Sequence, residues 1–235
     1  MMPGQLVLPV RLADEASFDN FLVCDSNRLC VERLRALLER SHWTLLLHGA
    51  SDSGRSHLLT ASCQYLERQG AGTAYFPLAE LRDCPPAELF AGLETRALVC
   101  LDDIDAVIGM PDWEEALFHL YNRIVENATG LLLAARKPPA DLGIVLPDLR
   151  SRLQAALVLG LAGLDDDEKL LALQLRARDR GMTLEPEVAR FILLRNARGM
   201  SSLIETLDRL DSATLEAGRR ISIPFVKSVL GRDKS

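Results

Sequence analysis

The chain has 235 residues, 48% of them hydrophobic and 26% charged, with a net charge of −6 and a pI near 5.3. That balance suits a soluble protein with a sizeable core, made of one α/β domain and a smaller second one, and it excludes broad electrostatic coating of DNA. Strong direct DNA binding is therefore not expected, although local basic patches stay open. No run reaches the ~18 uninterrupted apolar residues of a membrane span. The first residues lack the charged and apolar regions of a secretion signal. Cys24, Cys30, Cys63, Cys84 and Cys100 form no C-x-x-C pair and read as reduced thiols. A cytoplasmic chain with no membrane partner is the expectation. His42, His48, His57 and His119 show no metal spacing.

In chain order, Asn27 to Arg40 reads as an amphipathic helix with Leu29, Val31, Leu34, Leu37 and Leu38 apolar. Thr44 to His48 is a short apolar run, read as a buried strand. Gly49-Ala50-Ser51-Asp52-Ser53-Gly54-Arg55-Ser56 follows and fits the phosphate-loop template G-x-x-x-x-G-K-[ST] except that Arg55 stands in the place of Lys. In such a loop the glycines let consecutive backbone N–H groups point at a phosphate, and the next helix presents its positive end to the same anion. Ser56 to Gln69 reads as that helix. Gly49, Asp52, Ser53, Gly54, Arg55, Ser56 and His57 are thus candidate nucleotide contacts, with the Ser56 hydroxyl a candidate Mg²⁺ ligand. Arg carries the charge of Lys but is larger, planar and never deprotonated. It reads as a site kept for binding nucleotide and relaxed for hydrolysing it. A Gly/Ser-rich turn with no ligand is the plainer alternative.

Gly72 to Phe76 reads as a second strand ended by a Pro77 turn, and Asp83 to Leu93 holds a short helix after Pro85-Pro86. Ala97 to Asp103 is an apolar strand ending in two carboxylates. In open parallel sheets ligands sit at the carboxyl ends of strands. Asp102 is the candidate acid for Mg²⁺, and Asp103 the candidate to polarise an attacking water; a solvated strand end or a helix cap is the alternative for Asp103. Asp112 to Glu126 reads as a helix, Gly130 to Ala135 as a strand broken by Pro138-Pro139, and Ala156 to Leu159 as a last strand. This is the rhythm of a mostly parallel sheet sandwiched by helices.

After Gly160 the pattern turns helical. Leu164-Asp165-Asp166-Asp167-Glu168 is a helix-start signature. Helical stretches at about 165–180, 185–195 and 200–217 follow, separated by Gly181 and Gly199, with a short helix from Ile223-Pro224 through Leu230. The expected division is a tail over 1–24, an α/β nucleotide-binding domain over 25–162 and an all-helical lid over 163–235.

A P-loop α/β domain with a helical lid resembles the AAA+ class. The Arg55-Ser56-His57 loop ending, Leu149-Arg150-Ser151-Arg152-Leu153 and Ile223-Pro224-Phe225-Val226-Lys227 are similar to the Hda family within the DnaA/DnaC clade. That family is homologous to the DnaA initiator and inactivates it, and it lacks the DNA-binding domain of DnaA. The resemblance implies ADP or ATP with Mg²⁺ as cofactor, DnaA as partner, and homo-oligomers as an open option. It also implies a sliding-clamp partner, the β subunit of the polymerase. Gln5-Leu6-Val7-Leu8-Pro9-Val10 resembles the clamp-binding peptide, in which Leu6, Leu8 and Val10 fill an apolar groove, Gln5 bonds at the rim and Pro9 limits the conformations lost on docking. A first β-strand is the alternative for that segment. Ser17-Phe18-Asp19-Asn20-Phe21 resembles the lead-in that packs beside adenine in this clade, and two core aromatics is the alternative for Phe18 and Phe21. Arg152 corresponds to the arginine finger that AAA+ proteins point into a neighbour's nucleotide site; surface charges paired with Asp148 or a Glu is the alternative for Arg150 and Arg152.

Two departures stand against self-hydrolysis. Arg136-Lys137 follow the strand where a polar sensor is expected, and the lid's sensor arginine aligns with Ser201, with Arg198 one turn earlier as a substitute. The expected role is a negative regulator of replication initiation that stimulates hydrolysis of DnaA-bound ATP in trans. A DnaC-like loader or remodelling ATPase working through its own cycle is the alternative.

Overall fold

A computed structural model describes residues 16–196, 199–217 and 221–231, with the backbone alone at 215–217. Five parallel strands lie in the order β2-β3-β4-β1-β5: β1 (Trp43–His48), β2 (Thr73–Pro77), β3 (Leu98–Asp102), β4 (Gly130–Ala135) and β5 (Leu157–Gly160). The helices between them are α1 (Arg28–Leu38), α2 (Arg55–Glu67), α3 (Leu78–Leu81), α4 (Pro86–Leu89), α5 (Pro111–Glu126) and α6 (Pro147–Ala155). The sequence reads the five strands and α1, α2 and α5 to within two residues. It misses α3, where a Pro77 turn is expected and four helical residues stand instead, and α6, where no helix is expected between Pro138-Pro139 and the last strand.

The chain falls into two units. Of the described residues, the first comprises Ala16–Phe18, Cys30–His48 and Arg55–Gly160; the second comprises Asp19–Leu29, Gly49–Gly54 and those from Leu161 onward.

In the first unit both sheet faces are covered, which is why the strands read as unbroken apolar runs. Leu46, Val99, Leu101, Leu131 and Leu133 belong to a core shared with Phe90, Trp113, Leu117 and Leu149. The alternate residues Leu45, Leu47, Cys100, Leu132 and Ala134 are equally buried. On that face the Cys100 thiol meets Cys63 and the Leu59 carbonyl of α2. Trp113 stands edge-on to Phe90, ring centroids 5.7 Å apart, and its indole N–H donates to the Arg82 carbonyl at 3.0 Å.

In the second unit, α7 (Asp166–Asp179), α8 (Pro186–Arg195), α9 (Met200–Ala217) and α10 (Ile223–Gly231) close on a core of Leu173, Ala177, Ile192, Leu203, Leu207 and Val226. The start of α7 is a full capping box: Glu168 N–H donates to the Asp165 carboxylate at 2.8 Å, and Asp165 N–H to the Glu168 carboxylate at 2.9 Å. The lead-in segment from Asp19 onward belongs here too, and Asn20 donates to Asp179 of α7 at 2.7 Å.

Glu114 is the buried polar group that fixes the approach to α6. It is 1% exposed and accepts the N–H groups of Gly109, Val145 and Leu146 at 2.8, 3.0 and 2.6 Å. Removing it strands those donors away from water. Glu114→Ala is expected to lower the unfolding free energy by about 3 kcal/mol in urea titration, and Glu114→Gln, which keeps one acceptor, by less. A loss below about 0.5 kcal/mol for the alanine variant would mean the three amides find water instead.

Candidate functional site

The loop Gly49–Gly54 leaves the C-terminal end of β1, which lies between β4 and β5 where the strand order reverses. That is where ligands of open α/β sheets bind. Within the second unit the loop is built on close approaches that need glycine. A Cβ on Gly49 would meet the Leu161 carbonyl and would fall 2.7 Å from Ser53 Oγ. Gly54 has φ +95°, and a Cβ there would fall 2.7 Å from the Phe21 ring. Phe21 thus lies over the loop's last glycine. Ser53 is 4% exposed and its hydroxyl has no hydrogen-bond partner, a donor held out of water with nothing to meet.

Asp52 takes the left-handed conformation (φ 62°) and reaches the start of α9. Its Oδ1 accepts the Ser201 N–H at 3.2 Å and also the Ser201 hydroxyl. A Cβ on Gly199 would collide with its other oxygen. A carboxylate there satisfies a free donor of α9 and complements the positive end of the helix. Ser201, aligned by resemblance with a sensor arginine, is therefore occupied with a loop side chain. Arg198 lies outside the described residues, as do Gln5, Leu6, Leu8, Pro9 and Val10.

Within the first unit, Arg55 opens α2 with its side chain 7% exposed. One terminal nitrogen lies 3.5 Å from Asp103 Oδ1, and the other, Nη1, is buried without a partner. Asp103 follows β3 in the left-handed region, φ 50° and ψ 47°. Burial, and next the neighbouring Asp102 carboxylate, push its carboxyl up from the usual value; Arg55 pulls the other way. Asp102 is 2% exposed and accepts the Tyr75 hydroxyl at 2.8 Å and the Asp103 N–H at 2.9 Å. Burial and that carboxylate push the Tyr75 phenol well up. Tyr75 escapes the sequence reading, and the parallel β2–β3 register, which sets Pro77 beside Asp102, is what brings it there.

Ser56 is exposed at the head of α2. The His57 ring nitrogen bonds the Ser17 carbonyl at 2.8 Å. Phe18 stands edge-on to Tyr65 with the Arg35 guanidinium 5.2 Å from its ring centre. Past β4, Arg136 pairs with Asp105 at 2.7 Å. On α6, Arg152 is exposed and lies over the Tyr121 ring at 5.8 Å. Among the described residues it has no carboxylate partner. Arg150, whose alternative reading is a surface charge paired with Asp148 or a Glu, donates from Nε to the Ile144 carbonyl at 3.0 Å, with a second bond from Nη2.

These residues fit a nucleotide phosphate. In the second unit Ser53 Oγ is a buried donor without a partner, and Gly49 and Gly54 keep the backbone clear of side chains; in the first unit Arg55 Nη1 is a buried donor without a partner. Ser56 and Asp102 would hold Mg²⁺, whose remaining positions phosphates and waters usually fill.

The family "Hda, lid domain" matches residues 166–230, and "Bacterial DnaA ATPase domain" matches residues 81–160. Neither stretch includes the loop at 49–56. Among solved structures, domain III of the Thermotoga maritima initiator DnaA is similar at a TM-score of 0.77 and 18% identity, over 93% of this chain and 96% of that one. The AMPPCP-bound DnaA of Aquifex aeolicus gives 0.69 and 20%, over 84% and 65%. A Thermotoga maritima RuvB, the Holliday junction branch migration motor, gives 0.66 and 18%, over 94% and 73%. Identities this low show a shared fold. Among the described residues no helix is long and apolar enough to cross a membrane.

Asp52→Ala is expected to cost about 1 kcal/mol, the value of a helix cap, and to speed amide exchange in the first turn of α9 ahead of the rest of that helix. Uniform exchange along α9 would deny Asp52 the capping role.

Proposed function

We propose that this chain, whose residues 166–230 match the Hda lid family and whose fold is similar to domain III of DnaA, is a nucleotide-holding regulator of DnaA that acts through an arginine finger. The segment Gln5-Leu6-Val7-Leu8-Pro9-Val10 anchors it to the sliding clamp, the loop Gly49–Ser56 holds ADP or ATP with Mg²⁺, and Arg152 completes the ATPase site of ATP-bound DnaA. Arg152 is the observation that carries this reading. It is a solvated guanidinium with no carboxylate partner among the described residues, on a helix whose approach Glu114 and Arg150 tie down. A finger must be both fixed in position and free of internal salt bridges, because its charge is needed on the transferring phosphoryl group of another molecule. The residues around its own loop support holding rather than turnover. Arg55 replaces the compact Lys, Ser201 is bonded to Asp52, and Arg136 is paired with Asp105.

The decisive test mixes the protein with clamp-loaded DNA and ATP-bound DnaA and follows ATP loss. Arg152→Ala is expected to keep its fold, its nucleotide and its clamp binding, while stimulation falls by roughly 10³–10⁵, the range of arginine fingers elsewhere. Arg152→Lys, which keeps charge but loses the planar fork, should recover little. Full stimulation by Arg152→Ala would hand the case to the loader reading, in which the chain works through its own ATP cycle.

Two binding measurements bear on the other parts. Isothermal titration should give a 1:1 ADP complex that Gly54→Val abolishes, since the new side chain would strike Phe21 at a positive φ. Replacing Gln5, Leu6 and Leu8 by Ala should abolish clamp binding and leave the melting temperature unchanged; a large drop in melting would make the segment part of the core instead.

A further inference from the structure

Arg55 has a charge problem. A guanidinium almost wholly out of water needs an anion, and here one terminal nitrogen faces Asp103 at 3.5 Å while Nη1 is buried with no hydrogen-bond partner. Asp103 is the acid left for that task. Asp102 is buried and already takes the Tyr75 hydroxyl and the Asp103 N–H. Asp103 is 35% exposed and sits in the left-handed region, which Asp and Asn tolerate better than other side chains. The guanidinium thus has one arm in an ion pair and one arm left without a hydrogen bond. Phosphate binds such a fork through two parallel bonds. An incoming phosphate would take the unbonded arm and contend with Asp103 for the other.

Resting on the nucleotide-binding reading above, we propose that Asp103 is a built-in competitor of the nucleotide phosphate for Arg55, an internal carboxylate that the anion must displace. It sets how tightly the loop holds its ligand. This differs from a water-polarising acid, whose removal slows turnover and leaves affinity alone.

The test titrates ADP into the full chain and into Asp103→Asn and Asp103→Gly, with EDTA present so that metal near Asp102 plays no part. Asn suits the left-handed backbone and Gly adopts it freely, so neither change strains the fold. Both variants should bind ADP about three- to five-fold tighter, the range available to a partly exposed ion pair. Without ADP both should melt below the wild type, and saturating ADP should close the gap. A merely structural Asp103 would keep the gap unchanged. Equal or weaker ADP binding by both variants overturns the proposal. Failure of the folded wild type to bind ADP is a separate result: it removes the nucleotide reading, and this inference with it.

Discussion

The chemistry of the first unit follows from one constraint, the parallel alignment of its strands. Parallel strands put all their carboxyl ends on one edge, and helices over both faces leave that edge as the place where polar groups can survive. His48 is in register with Ala135, and Asp102 with Pro77, so the carboxyl ends of β1 and β3 lie on the same edge of the sheet. Each polar group there must then be satisfied locally. Asp102 draws the Tyr75 hydroxyl from the adjacent strand and the N–H of the next residue. The turn into the left-handed region at Asp103 keeps a second carboxylate available for Arg55. Replacing the usual Lys by Arg makes this pairing more demanding, because the guanidinium cannot shed its proton to escape burial.

The strands and lid helices were legible because their signals are local. Leu45–Leu47, Leu98–Leu101 and Leu131–Ala135 are apolar runs flanked by turn residues. Asp165 and Glu168 spell the capping box that the structure contains. The glycine loop was legible because the template carries its own geometry. What stayed hidden depends on residues far apart in sequence. Glu114 looks like any acid in the first turn of α5, and only folding brings it to the amides of Val145 and Leu146. Asp52 and Ser201 meet across 149 positions. Phe21 could be read as a core aromatic or a nucleotide neighbour, and its ring lies against Gly54. The helix α3 was missed because four residues are too few to show a period.

Arg150 and Arg152 show how one short sequence motif divides its labour. Residues two apart on a helix do not share a face. Arg150 gives its N–H groups to the Ile144 carbonyl, and Glu114 takes the N–H groups of the two residues that follow Ile144. The stretch before α6 is therefore held from both its donor and its acceptor side. Arg152 is left with the Tyr121 ring, a contact that steers a guanidinium without neutralising it. On the proposed finger reading this asymmetry is needed, because a cation tied to its own carboxylate would arrive at a partner already spent. On that same reading Arg150 supports the helix that carries Arg152. Loosening it would leave the charge of Arg152 intact and blur where that charge is held.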